Sequence, residues 1–205
     1  MEIQHATYDD LPRMEEIYAG ARAFMAEHGN PNQWSPTNWP PRQLLEDDIS
    51  RGKSYVCTDG GRIIATFFYD FGEGVEPTYR TIEDGSWMND SAYGVVHRIA
   101  ADGSVPGTGT FCLNWAFDQC RHLRIDTHPD NTVMQSLLGK LGFAKRGIIH
   151  VEEDEWDRLA YEKGVGANNP ILLLTQFDEM PPWGETAALS GNHGYCRRQT
   201  CFFSQ

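Results

Sequence analysis

The stretch that most constrains this chain is YGVVHRIAADGSVPGTGTFCLNWAFDQC, residues 93–120. Val95, Val96 and Ile99 are β-branched and apolar, which predicts a strand. Gly103, Pro106, Gly107 and Gly109 crowd into the next few positions and predict a turn. Phe111, Leu113, Trp115, Ala116, Phe117 and Cys120 then recur at helical spacing over a wide apolar face. A strand that turns on glycine into a helix leaves the first helical N–H groups without internal partners, where the helix dipole adds partial positive charge. Glycine also lets backbone approach an anion without a Cβ in the way. Val105, Gly107, Thr108, Gly109 and Thr110 are thereby candidates to hold a pyrophosphate. Short glycine patterns are common, and from these residues alone an ordinary strand-to-helix connection is the simpler reading.

The flanking sequence supplies a complete set of elements. Residues 3–6 predict a short strand. Leu11, Met14, Tyr18, Ala21 and Met25 mark a helix, with Thr7, Asp9 or Asp10 as cap, Pro12 in the first turn and Gly29 closing it. A Pro- and Asn-rich loop with Trp34 and Trp39 leads to a shorter helix on Leu44, Leu45 and Ile49. Residues 54–58 and 62–71 predict strands joined by a hairpin at Asp59-Gly60-Gly61. A long connection over 72–92 carries Tyr79, Trp87 and the acids Glu73, Glu76, Glu83 and Asp84; connections of this length tend to be functional. After the central stretch, HLRIDTH (122–128) alternates, with Leu123 and Ile125 on one face and Arg124, Asp126 and His128 on the other. Val133, Met134, Leu137, Leu138 and Leu141 predict an amphipathic helix closed by Gly142. Residues 146–151 and 158–162 predict two last strands around the acidic turn 152–155.

Composition narrows the function classes. Formal charge is −12, which argues against sequence-independent nucleic-acid binding, because that requires Lys and Arg to neutralise phosphates. No apolar run approaches the ~20 residues of a membrane span, and the polar start MEIQHATYDD lacks a signal peptide's apolar core, so a cytoplasmic protein is expected. The five cysteines are scattered. They fit no structural zinc spacing, and no metal is expected. Cys112 and Cys120 fall on the apolar helix face as free core thiols.

HRIAADGSVPGTG, LRIDTHPDN and the LGF that ends the following helix together resemble the GNAT superfamily of acyl-CoA-dependent N-acyltransferases. The resemblance covers residues 2–163 and leaves 164–205 as a C-terminal extension, docked or mobile. It implies an α/β (α+β) fold: a mixed sheet of about seven strands, splayed in the middle, with flanking helices and acetyl-CoA in the cleft. It further implies that main-chain groups of Ile99 and Ala101 bond the pantetheine arm, and that Asn131 reaches toward the cofactor. Two positions depart from the family pattern. Ser104 stands where the glycine loop usually begins with a basic or amide residue. Leu138 stands where many members carry a Tyr that protonates the leaving thiolate.

The reaction implied is acetyl transfer to a primary amine of a small molecule or peptide, by direct attack in a ternary complex. A Lys-like amine has a pKa near 10.4, so on the order of one part in a thousand is neutral at pH 7 and a proton must be removed. His97, Asp126 and His128 are the candidates for that work, each with a plain structural role as its alternative. Trp34, Trp39, Tyr79 and Trp87 are candidates for an aromatic substrate wall, with the acids of 72–92 attracting an ammonium; the alternative is a hydrophobic cap with solvated acids. A non-catalytic acyl-CoA-binding module is the competing function, motivated by Ser104 and Leu138. A dinucleotide-binding oxidoreductase fits worse, because Cys112 stands where a third glycine should be, and no Gly-Lys-Ser/Thr of a P-loop is present. A homodimer is left open.

Overall fold

The alternating and helical patterns resolve, in the computed structural model, into seven strands and four α-helices among the residues it describes, 1–34, 36–151 and 155–165. In chain order these are β1 (Glu2–His5), α1 (Leu11–Glu27), α2 (Arg42–Ser50), β2 (Ser54–Asp59), β3 (Arg62–Gly72), β4 (Tyr93–Ala101), α3 (Thr108–Cys120), β5 (His122–Thr127), α4 (Thr132–Lys140), β6 (Ala144–His150) and β7 (Asp157–Gly164). The strands form one sheet in the order β1-β2-β3-β4-β5-β7-β6. The β4–β5 pair is parallel and every other pair antiparallel. This is the mixed sheet that the family resemblance implies.

Local chemistry explains most boundaries. Gly60 and Gly61 both adopt positive φ, +56° and +79°, between the paired residues Asp59 and Arg62. A two-residue hairpin that follows the strand twist demands that conformation twice, and glycine supplies it without a Cβ clash. At the start of α1 the Asp10 carboxylate accepts from both the Thr7 N–H (2.8 Å) and the Thr7 hydroxyl (2.9 Å), tying down a short 3-10 turn that feeds the helix. The β5–α4 connection ends on Asn131, whose side-chain oxygen accepts from Met134 N–H at 3.0 Å.

The sheet buries both faces. On one, Cys112, Leu113, Ala116 and Phe117 of α3 pack with Phe67, Val96, Leu123 and Ile125. On the other, Leu11, Met14, Ile17 and Tyr18 of α1 pack with Leu45, Val56 and Ala100. Cys112 is fully buried, and burial pushes its thiol up. It is therefore an inert core group rather than a nucleophile.

Three expectations are revised. The 72–92 connection is built into the body of the fold: it contains a 3-10 turn, Pro77–Arg80, and Glu83 forms an antiparallel bridge with Ile148. Val133 is exposed, pointing off the face that Met134, Leu137 and Leu141 pack on the core, and Leu138 is fully buried. β7 spans Asp157–Gly164, longer than the predicted strand over 158–162. The acidic turn at 152–154 and the extension from 166 onward lie outside the described residues.

Candidate active site

β4 and β5 run parallel but pair only at Gly94 with Leu123 and Val95 with Arg124 among the described residues. Beyond that point the strands part and a cleft of about 510 Å³ opens. The cause lies in β4. Its register against β3 shifts between Phe68↔His97 and Thr66↔Ala100, so β4 carries one extra residue, and Arg98 adopts φ +53°. A left-handed non-glycine residue costs about 1–2 kcal/mol and persists only where its surroundings enforce it. Here the Tyr18 hydroxyl donates to the Arg98 carbonyl at 3.0 Å. The Arg98 guanidinium in turn donates to buried Asp48 at 2.5 Å and lies 4.8 Å from the Phe68 ring centre. The bulge therefore rests on the packing of α1 and α2 against the sheet.

One end of the cleft is polar and partly buried. His97 Nε2 lies 2.8 Å from Glu76 Oε2, and His97 Nδ1 lies 3.7 Å from Asp126 Oδ1. The Tyr79 hydroxyl donates to the same Asp126 oxygen at 2.7 Å, and Arg158 Nε stands 4.0 Å from Oδ2. Thr78 donates to Glu76 through its N–H (3.2 Å) and its hydroxyl (2.8 Å). Burial opposes ionisation of Glu76, but the hydrogen bond and charge of His97, with the Thr78 donors, outweigh it and hold the carboxyl at about 2 against an ordinary 4.5.

A depressed carboxyl pKa means that the folded state favours the ionised form. The stabilisation is complete above pH ~4.5 and is lost as pH falls toward ~2. Chemical denaturation at a series of pH values should show the parent losing stability faster than a Glu76→Gln variant across that window. Parallel curves would contradict the arrangement.

The other end of the cleft is the glycine turn. Gly107 caps α3 in the left-handed region, φ +85°, and the first helical bond is made by Phe111 N–H to the Gly107 carbonyl at 2.9 Å. The amides of Thr108, Gly109 and Thr110 precede that bond. The Thr108 hydroxyl donates to the Val105 carbonyl at 2.7 Å, and Ser104 N–H and hydroxyl donate to Asp102 Oδ1 at 2.9 and 2.6 Å. These contacts brace the turn from within.

Of the residues singled out from sequence, Ile99, Ala101, Gly109 and Asn131 line the cleft, as do His97, Asp126, Trp34 and Trp39. Val105, Gly107, Thr108 and Thr110 sit at the turn and the first residues of α3 beside it. Asn131 also spends its amide on structure, capping α4 through Oδ1 and donating to Gln33 Oε1 at 3.1 Å. His128 does not reach the cleft: it is buried, its Nδ1 accepts from Asp130 N–H at 3.1 Å, and its ring meets Trp156 edge-on. Tyr79 and Trp87 are likewise not part of a substrate wall. Tyr79 is buried beside Tyr93, and the Trp87 indole N–H donates to the Tyr79 carbonyl at 2.8 Å under the Arg124 guanidinium.

Sequence reasoning named Glu76 only as one of several loop acids. Nothing in its local spacing marks it as the partner of His97. Arg158 was not anticipated in the site, because β7 reaches Asp126 only through sheet pairing.

No protein-family model matches the sequence, and no curated protein matches it. Solved structures do. An acetyltransferase of the GNAT family from Streptococcus agalactiae superposes with a TM-score of 0.69 at 29% identity, covering 80% of this chain and 95% of that one. A ribosomal-protein-alanine N-acetyltransferase from Brucella melitensis shares the fold with a TM-score of 0.53 at 18% identity, over 80% of this chain and 100% of that one.

Proposed function

The chain belongs to the GNAT superfamily by fold, and from that premise we propose that it is an N-acetyltransferase, moving an acetyl group from acetyl-CoA to a primary amine of a small molecule or peptide. The observation that carries this reading is the parting of β4 and β5. One continuous cleft runs from Gly109 in the first turn of α3 to the Glu76–His97–Asp126 cluster.

Acetyl-CoA fits the two halves of that cleft as a substrate. Its diphosphate meets Gly107, Thr108, Gly109 and Thr110, whose amides and helix dipole favour an anion. Its pantetheine arm lies along Ile99 and Ala101, where β4 has no strand on the β5 side. This places the thioester near the bulge, beside His97. A β4 N–H close to Ile99 is the donor best placed to stabilise the tetrahedral oxyanion.

The acceptor amine arrives protonated and must lose a proton. Glu76, accepting from Nε2–H, fixes the His97 tautomer that leaves Nδ1 as proton acceptor. The carboxylate of Asp126 then faces the imidazolium that forms. At 3.7 Å the Nδ1–Asp126 separation is too long for a direct hydrogen bond and suits a bridging water or closure on substrate binding. The neutral amine attacks the thioester carbon, the C–S bond breaks, CoA leaves as a thiolate, and the second N–H proton of the cationic nitrogen passes to solvent or to the departing sulfur to leave the neutral amide. A thiol pKa near 8.5 makes an acid helpful but dispensable, which accommodates a fully buried Leu138. Trp34 and Trp39 supply an apolar wall for the body of the acceptor.

Leu138 and Ser104 are also the observations that favour a non-catalytic acyl-CoA-binding module. The test is thiol release from acetyl-CoA against a broad panel of amines. Release above background with any amine supports transfer. Saturable acetyl-CoA binding with no release across the panel would favour the binding module, and no binding at all would remove both.

A further inference from the structure

Resting on the acetyl-CoA reading above, we infer that Arg62, at the start of β3, is the cation that meets the diphosphate of the cofactor from across the sheet. The glycine turn contains no basic residue from Ala101 to Thr110, and it carries the carboxylate of Asp102. Main-chain amides alone would therefore face the diphosphate with an acid close by. The sheet register supplies the missing charge. β3 and β4 pair antiparallel with Ala65 opposite Ala101 and Thr66 opposite Ala100. Continuing that register past the end of β4 sets Arg62 opposite Ser104. The side chains meet there: Arg62 Nη2 donates to Ser104 Oγ at 2.5 Å and lies 3.7 Å from Asp102 Oδ2.

The second arginine near this carboxylate is fully engaged within the fold. Arg13 of α1 donates to the Ile63 carbonyl of β3 (3.1 Å), to Glu16 of its own helix (3.0 Å) and to Asp102 (2.6 Å), so each of its three nitrogens has a partner. Arg13 makes the short contact to Asp102, and Arg62 is left with the 3.7 Å one, so the Arg62 charge is the more loosely held of the two. Its side chain is 58% exposed. A guanidinium has five donors in a planar fork suited to phosphate oxygens, and the contacts to Ser104 and Asp102 both fall on Nη2. Ser104 holds the arm against the turn, and the loop position that lacks a charge of its own is served by its cross-strand neighbour.

The experiment is titration of the full chain with acetyl-CoA by isothermal calorimetry, for the parent, Arg62→Ala, Arg62→Lys and the double variant Arg62→Ala/Ser104→Arg. Loss of one charge-assisted contact at an exposed site predicts about tenfold weaker binding for Arg62→Ala, a shallower dependence of affinity on salt, and partial recovery in Arg62→Lys. The double variant moves the cation one strand over and should recover most of the affinity, which a merely structural role for Arg62 would not produce. Parent-like affinity in Arg62→Ala overturns the inference while leaving the acetyl-CoA reading intact. Weakened binding that Ser104→Arg cannot restore also overturns it, in favour of an Arg62 that only shapes the turn. A parent chain that binds no acetyl-CoA overturns the functional reading itself.

Discussion

Replacing Gly109 or Gly107 with Val is expected to weaken acetyl-CoA binding by at least 100-fold, by two different routes. At Gly109 a Cβ would stand 3.1 Å from Leu137 Cδ2, closer than packed carbons ordinarily come. The branched Val side chain would drive Leu137 or the first turn of α3 aside, and it would stand among the amides that the diphosphate needs. Space is free around Gly107; its constraint is the backbone, at φ +85°. A β-branched residue avoids that region, so Gly107→Val refolds the cap and swings the Thr108, Gly109 and Thr110 amides off target. Ser104→Ala is the contrasting case. It removes a hydroxyl that braces Asp102 and Arg62 but leaves the amides in place, and it should cost less than about threefold. Calorimetric titration measures all three, with thermal melts reporting that the variants fold. Near-parental binding by both glycine variants would mean that this turn does not hold the diphosphate.

The glycine turn was legible because its chemistry is local: the residues that bend the chain are the ones that free the amides. The hairpin at Asp59-Gly60-Gly61 and the alternation through Leu123 and Ile125 were legible for the same reason, each being a short-range pattern answering one geometric demand. The partners of those elements were not. Tyr79 reads as a loop aromatic that either lines a substrate wall or caps the core; it is buried in the fold, and the loop is held there by Glu83 bridging Ile148 and Met88 N–H donating to Glu162, contacts spanning more than sixty residues of chain. Glu76 reads as one acid among four, and only the docking of that loop beside β4 sets it against His97. Asn131 shows a different limit. The sequence assigns it one task, and the structure gives its amide two others, capping α4 and holding Gln33. Arg62 was recoverable in principle: a hairpin at Gly60-Gly61 and an antiparallel neighbour before the glycine turn together fix which residue faces Ser104. That deduction requires the pairing register, which a β4 bulge shifts by one and which periodicity does not report.

The second large effect belongs to the polar end of the cleft. His97→Ala should lower the rate of acetyl transfer by about 10²–10⁴-fold, the range for losing a positioned proton acceptor, while acetyl-CoA affinity changes little. His97 lies at the far end of the cleft from the diphosphate turn, and its side chain is not asked to hold the cofactor. Glu76→Gln is the more discriminating variant. Gln keeps the shape and can still bond His97, but its amide group can present N–H to the ring nitrogen that Glu76 accepts from. That reverses the tautomer and leaves Nδ1 protonated, unable to take the amine's proton. The expected loss is about 10–100-fold in kcat, with KM for acetyl-CoA unaffected. Raising the pH should recover part of the His97→Ala rate, because more of the amine is then already neutral. Recovery should be larger for a Lys-like amine, which is almost wholly protonated at neutral pH, than for an acceptor of low pKa, which is already largely neutral and should show the smaller deficit to begin with. A mere packing role for His97 would give a pH-independent deficit that accompanies a loss of thermal stability. Parental rates in both variants would remove the Glu76–His97 pair from the mechanism and leave amine deprotonation to solvent.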